Sequence, residues 1–197
     1  EGQLKDDLKK KEAIAAKLQK AIEDMIAEEI RKAREVTKNK NTFELTPEAS
    51  ALSSSFSKNR GKLPWPVERG TITGHFGVQQ HPVLKGITIV NNGIDISTEQ
   101  EAKVRALFDG EVTGVVVLPG AQKAVIIQHG EYFTVYGNLK DVLVKKGDKI
   151  TLKQELGIVN HEEDRSQTES HIEIWKMKKD GSGTTKLDPE DWILKNK

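Results

Sequence analysis

Apolar positions in the first 36 residues fall three and four apart. Leu4, Leu8, Lys11, Ala15, Leu18, Ile22, Met25 and Glu29 follow alternating steps of four and three, a heptad seam with two polar defects, Lys11 and Glu29. A second row, Ile14, Ala21, Ile26, Ile30 and Ala33, widens the apolar face. No proline interrupts this stretch and no glycine follows Gly2, and the Ala, Glu, Lys, Ile and Leu that dominate it suit a helix. Two readings stand side by side: an amphipathic helix docked on its own domain, or the end of a longer coiled coil. In either case something must bury the stripe, because propensity alone gives such a helix little stability. Residues 1–41 are taken as the end of a coiled coil or long helix.

Residues 38–42, KNKNT, form a polar break. Thr46 then offers an N-cap and Pro47 suits a first helical position, where no N–H is lost. Ala49, Leu52 and Phe56 make one apolar row, and Asn59, Arg60 and Gly61 stop it, so residues 42–62 hold a second helix and a linker. In 62–69, KLPWPVER, two prolines flank Trp65 and force an extended strap that should pin the tryptophan onto the following domain.

From Gly70 the period becomes two. Strands are expected at 71–76, 87–90, 93–96, 104–107, 111–118, 124–129, 133–138, 156–159 and 170–176. Turn signals stand at Asp109-Gly110, at 129–131 and at 146–148. Short strands with no helical pattern between them imply an antiparallel sheet or sandwich over 63–197. The fold class is thus α+β, a helical segment followed by an all-β antiparallel domain. Residues 160–169 read as a mobile polar loop, and 189–192 as a short closing turn with an apolar anchor.

Composition narrows the function. Apolar residues are 36% of the 197 and charged residues 31%, so a modest core accompanies an extended solvated element. With 31 Lys+Arg against 30 Asp+Glu the net charge is +1, which gives no global positive field for nucleic acid. No apolar run of about 18 residues exists, and none of the given residues reads as a signal peptide. The absence of cysteine excludes disulfides, thiolate metal sites and cysteine nucleophiles.

Five histidines, His75, His81, His129, His161 and His171, form no His-x-His pair and no His-Glu-x-x-His. Neither a Gly-x-Ser-x-Gly elbow nor a Gly-rich phosphate loop occurs. Lys176-Met177-Lys178 and the stretch 144–151 are similar to parts of biotin carriers. A carrier lysine needs an exposed two-residue turn, however, and these lysines run out of an apolar strand.

One ordered set of blocks is far more specific. It comprises Phe76-Gly77 with His81-Pro82, 91–96 (NNGIDI), 104–112 (VRALFDGEV), 125–130 (VIIQHG), 134–139 (TVYGNL), 144–148 (VKKGD) and 171–175 (HIEIW). In order and spacing these resemble the lysostaphin/LytM-type zinc peptidase domain over roughly 63–194. The resemblance implies a β-rich groove with a metal site on its floor. Active members carry His-x-Gly-x-Asp, His-x-His and Tyr-x-His-Leu. Here Asn91 stands at the first ligand position and Asp95 is retained. Glu169-Ser170-His171 replaces His-x-His, and Tyr136-Gly137-Asn138-Leu139 lacks the third histidine. Catalytic zinc wants three protein ligands and a water, and a neutral amide is a poor ligand for it. Glu169 could complete an Asp95, Glu169 and His171 set in a shifted geometry, but no imidazole would then stabilise an oxyanion. A satisfied His171 bonded to Asp95 or Asn91 is the plainer expectation. His129 and His161 read as turn and loop residues, and His81 as a structural groove residue.

A degenerate domain of this type behind a helical region resembles the EnvC/NlpD-type activators of cell-wall amidases. The resemblance implies a non-enzymatic protein with no resident cofactor or metal, in the periplasm or cell envelope. It further implies an N-acetylmuramoyl-L-alanine amidase as partner, a division ATPase–permease complex acting on the coiled coil, and peptidoglycan as a possible additional ligand. The expected partner groove is Asn91, Asp95, Tyr136, Asn138, Glu169, His171 and His81, with an N-terminal helix regulating it. The alternatives are a peptidoglycan-binding or scaffold module and a working zinc endopeptidase.

Overall fold

The computed structural model describes residues 2–37, 44–81, 83–163 and 166–195. The polar break at 38–42, and with it the expected boundary at 41, lies outside the described residues, as do Pro82 and residues 164 and 165 of the expected mobile loop. Two helices, α1 (Gly2–Thr37) and α2 (Pro47–Lys58), precede the strands. These are β1 (Thr71–Gly74), β2 (Gly77–Gln80), β3 (Thr88–Asn91), β4 (Ile94–Thr98), β5 (Lys103–Arg105), β6 (Gly110–Val117), β7 (Lys123–His129), β8 (Tyr132–Val142), β9 (Lys149–Ile150), β10 (Glu155–Val159), β11 (Thr168–Met177) and β12 (Thr184–Leu187). The main sheet runs β1-β4-β11-β8-β7-β6-β9, with β10 joining β5 to β8, and β12 on β11. The ladders between these strands are antiparallel, and β2 and β3 form a separate two-stranded arm.

Alternation along the central strands gives the sheet two apolar faces. Val125, Ile127, Tyr132, Tyr136, Ile172 and Ile174 face one core, and Ala124, Ile126, Phe133, Val135, Trp175 and Met177 face the other. α2 closes the first. Thr46 caps it by accepting from the Ala49 N–H at 3.2 Å, and Phe56 is fully buried, stacked on His129 and Tyr132 at 4.8 Å each. A Cβ on Gly130 would meet the Ala49 carbonyl at 2.3 Å and its φ is +71°, so this turn accepts α2 only as glycine. The strap behaves as expected. The Trp65 indole donates to the Leu194 carbonyl at 2.7 Å, while Leu63 and Val67 are fully buried.

α1 covers the second face. Leu18, Ile22, Ile26 and Ile30 pack on Phe133, Val135, Trp175 and Met177. Of the two readings of the apolar stripe, docking on the chain's own domain is the one observed. The buried row steps by four and takes members from both sequence rows, because i, i+4 ridges suit a twisted sheet whereas the heptad seam suits a partner helix.

Candidate functional site

The second face carries the candidate site. Side chains 171, 173, 175 and 177 of β11 alternate onto it, and Asp95 of β4 and Gly137 of β8 stand on either side of His171 in register. A Cβ on Gly93 would lie 1.9 Å from the Ile172 carbonyl oxygen, so only glycine lets the β3–β4 turn press Asn91 and Asp95 onto β11.

His171 is held from both sides. Its Nδ1 lies 2.8 Å from Asp95 Oδ1 and its Nε2 2.9 Å from Glu173 Oε1. Burial opposes a charged ring, but the hydrogen bonds and charges of Asp95 and Glu173 override it and raise His171 to about 10. At neutral pH it is an imidazolium donating to two carboxylates. Burial would raise Asp95, yet its bond to His171, that ring's charge, the Lys11 ammonium and the Asn91 amide hold it below the usual carboxylate value. Asn91 donates Nδ2–H to Asp95 Oδ2 at 2.9 Å, and its oxygen accepts the Gly93 N–H at 3.1 Å. Glu169 accepts from the Thr73 hydroxyl at 2.9 Å and faces Lys11 Nζ at 3.8 Å.

A three-ligand zinc centre does not fit these residues. Asn91 turns a donor toward Asp95, and its oxygen accepts the Gly93 N–H. Both His171 nitrogens face carboxylates, and Glu169 turns to Thr73 and Lys11 instead of joining Asp95 and His171. Among the described residues no three His, Cys, Asp or Glu side chains converge as a metal-ligand set.

The expected groove is partly assembled. Asn91, Asp95, Glu169 and His171 come together, and Asn138 adjoins them, donating to the Glu169 carbonyl at 2.5 Å from a left-handed backbone at φ 54°. Tyr136 is a correction, since it is fully buried on the opposite face and its hydroxyl accepts the Leu107 N–H at 2.8 Å. Its parity on β8, shared with Tyr132, points it inward. His81 serves its own loop, its Nδ1 accepting from the Val83 and Leu84 N–H groups at 3.2 and 3.0 Å. His129 is no turn residue. It ends β7, fully buried between the Asp109 carbonyl and the Thr134 hydroxyl, and burial lowers it to about 4. His161 is a loop residue, bonded to Gln100 and Thr168.

Sequence reasoning missed Glu173, which is fully buried and also accepts the Trp175 indole N–H at 2.6 Å. The available signal was a carboxylate alternating with a histidine and a tryptophan on one strand face.

α1 crosses this site lengthwise. Lys11 stands at Glu169, and eight residues on Gln19 accepts from Lys186 Nζ at 2.9 Å, where Lys186 lies over the Trp175 ring. α2 lies on the other face and does not reach the site.

Asp95 and His171, paired across neighbouring antiparallel strands, agree with the zinc-peptidase-type pattern of the sequence. Residues 89–189 match Peptidase family M23, and the chain belongs to that family. Peptidoglycan DD-endopeptidase ShyA of Vibrio cholerae is 34% identical over 105 residues, 52% of this chain and 24% of ShyA. The chain spans about a quarter of the length of the curated relatives it matches. Among solved structures, a zinc-containing peptidase from Vibrio cholerae superposes with a TM-score of 0.51 at 26% identity, over 64% of this chain and 39% of that one. The SpoIIQ–SpoIIIAH pore-forming complex has a chain that superposes with a TM-score of 0.52 at 21% identity, over 68% of this chain and 92% of its own, and shares the fold.

Proposed function

We propose that this chain is a non-catalytic M23 domain that binds and switches on a cell-wall N-acetylmuramoyl-L-alanine amidase in the envelope during cell separation. The observation that carries the reading is the Asn91–Asp95 hydrogen bond, which puts an amide donor where a hydrolase needs a metal ligand. Asn138 and Glu169 support it, each bonded to protein groups at positions where the active pattern has histidine. The envelope setting draws on relatives named as peptidoglycan endopeptidases. No helix of the described residues is long and apolar enough to cross a membrane.

In this reading the amidase holds the zinc, and the face under α1 is the surface its helix would occupy. α1 competes for that face, and a division ATPase–permease complex acting upstream on the helix relieves the competition. The test combines the purified chain with candidate amidases and peptidoglycan. Stimulated amidase activity with no hydrolysis by the chain alone is expected, together with a loss of stimulation in Glu169→Lys. Chelator-sensitive hydrolysis by the chain alone would establish an endopeptidase instead. Peptidoglycan binding without stimulation of any amidase would establish a binding module.

A further inference from the structure

The second part of β6 has a strand partner on one side only. β9 pairs with β6 at Gly110 and Glu111, and the Val112 N–H and carbonyl bond to Asp148 and Gly147 at 2.9 and 2.8 Å. The register with β7 shifts between Val112 and Gly114, and from there β7 alone carries the ladder to Val117. In an antiparallel ladder alternate residues turn both backbone groups away from the partner, so this stretch offers free N–H and C=O groups at the sheet edge. Residues 113–117, TGVVV, carry neither a charge nor a proline, two of the devices that commonly blunt such an edge.

The edge opens into a groove of about 530 Å³ whose two sides differ. On one side stands Met25 of α1, packed with Val116 in the second apolar cluster. Gly114 fixes it there, because a Cβ at that position would collide with the Met25 methyl group. On the other side Val144 packs with Val115 against the first core, and Lys145 and Lys146 follow it in the chain. Lys123 stands on this side too, sharing strand parity with Val125. No carboxylate lines the groove. An added strand would thus meet an apolar side chain on one face and three ammonium groups on the other. Pairing of two copies of this edge would bring both sets of lysines together, so charge disfavours a second copy. A lipid headgroup would leave the row of backbone groups unpaired, whereas a peptide satisfies it.

We propose that the open edge of β6, Thr113–Val117, is a docking site for an extended segment of a partner protein that alternates apolar and acidic residues and adds a strand to the sheet. Its apolar side chains point toward Met25 and its carboxylates toward Lys123, Lys145 and Lys146. β7 and β8 separate this edge from His171 on β11, so the inference stands apart from the amidase reading and either can fail alone.

The test follows amide hydrogen exchange residue by residue in the full chain. The probe is a capped peptide of about seven residues, glutamate and valine alternating, long enough at ~3.4 Å per residue to span the edge. At ~1 mM peptide, exchange within Thr113–Val117 slows at least tenfold while β1, at the opposite edge, is unchanged. The lysine–valine analogue does not slow it, and neither does the glutamate peptide with two adjacent central residues changed to proline, which removes a ladder donor. Lys145→Glu combined with Lys146→Glu, at two exposed positions, leaves melting unchanged and reduces the protection at least threefold. Absence of slowing by the glutamate peptide, or equal slowing by the lysine or proline peptide, overturns the proposal. Slowing that grows with chain concentration in the absence of peptide gives the edge to a second copy. Capture of the chain by phosphatidylglycerol vesicles, with no slowing by the peptide, gives the lysines to a lipid surface. Either of these results overturns it as well.

Discussion

The side-chain amide of Asn91 donates to Asp95 Oδ2 at 2.9 Å while Asp95 Oδ1 faces His171 Nδ1 at 2.8 Å, so one carboxylate gathers an amide and an imidazolium. Two positive ends of dipoles or charges thus meet Asp95 where a divalent cation would otherwise be the counter-charge. Purified protein is expected to carry far less than one zinc per chain by metal analysis. Asn91→His together with Glu169→His adds two imidazoles to the Asp95 and His171 pair, and zinc affinity should rise strongly. Equal zinc contents in the two proteins would show that Asn91 is not what weakens the site.

Helix α1 is part of the core as well as a cover. Ile22 and Ile26 are almost wholly buried against Phe133, Val135 and Trp175. Ile22→Ala and Ile26→Ala should each cost about 2–5 kcal/mol in urea unfolding. A chain starting at Glu44, which keeps α2, would lay the whole apolar floor open. It should melt well below the full chain and associate at high concentration, even if it binds an amidase more strongly. A melting temperature equal to that of residues 1–197 would mean that α1 adds nothing to the fold.

The sequence was most legible where local chemistry and tertiary packing agree. Thr46 and Pro47 announce α2, and the Val- and Ile-rich runs announce β4 to β8, because a cap and an alternating strand are local signals. β2, β9 and β12 were missed because Gly77–Gln80, Lys149–Ile150 and Thr184–Leu187 are short, carry little apolar alternation and pair only through their neighbours. Asp95 and His171 were legible as a pair through the family pattern. Glu173 was not, because its partners lie at i−2 and i+2 on a strand whose inner face a charge seldom occupies unpaired. Tyr136 was placed in the groove by its motif, but strand parity points it the other way. The direction of α1 was open because a stripe wide enough for a coiled coil is also wide enough for a sheet.

Tyr136 gives a sharp contrast with a binding role. Its hydroxyl accepts the Leu107 N–H and the Thr134 hydroxyl deep in the core, where burial pushes it up to about 12. Tyr136→Phe orphans that backbone donor and should cost about 1–3 kcal/mol. Amidase stimulation by the folded fraction should stay unchanged. A loss of stimulation at unchanged stability would return the tyrosine to the partner surface.

His129, fully buried, and His171, half-buried, set opposite limbs of the stability–pH curve. His129 sits at about 4 in the fold against 6.5 unfolded, so the unfolded chain binds the proton first. Its contribution is complete above 6.5 and is lost as pH falls through 4. His171 sits at about 10 against 6.5, so the fold binds the proton more tightly. Its contribution is complete below 6.5 and is lost as pH rises through 10. Urea midpoints should therefore fall toward pH 4 on one side and toward pH 10 on the other. His129→Gln should flatten the acid limb and His171→Asn the alkaline limb, whatever each does to the height of the curve, since linkage reads the slope. If His171→Asn leaves the alkaline slope unchanged, His171 is not held as an imidazolium between Asp95 and Glu173.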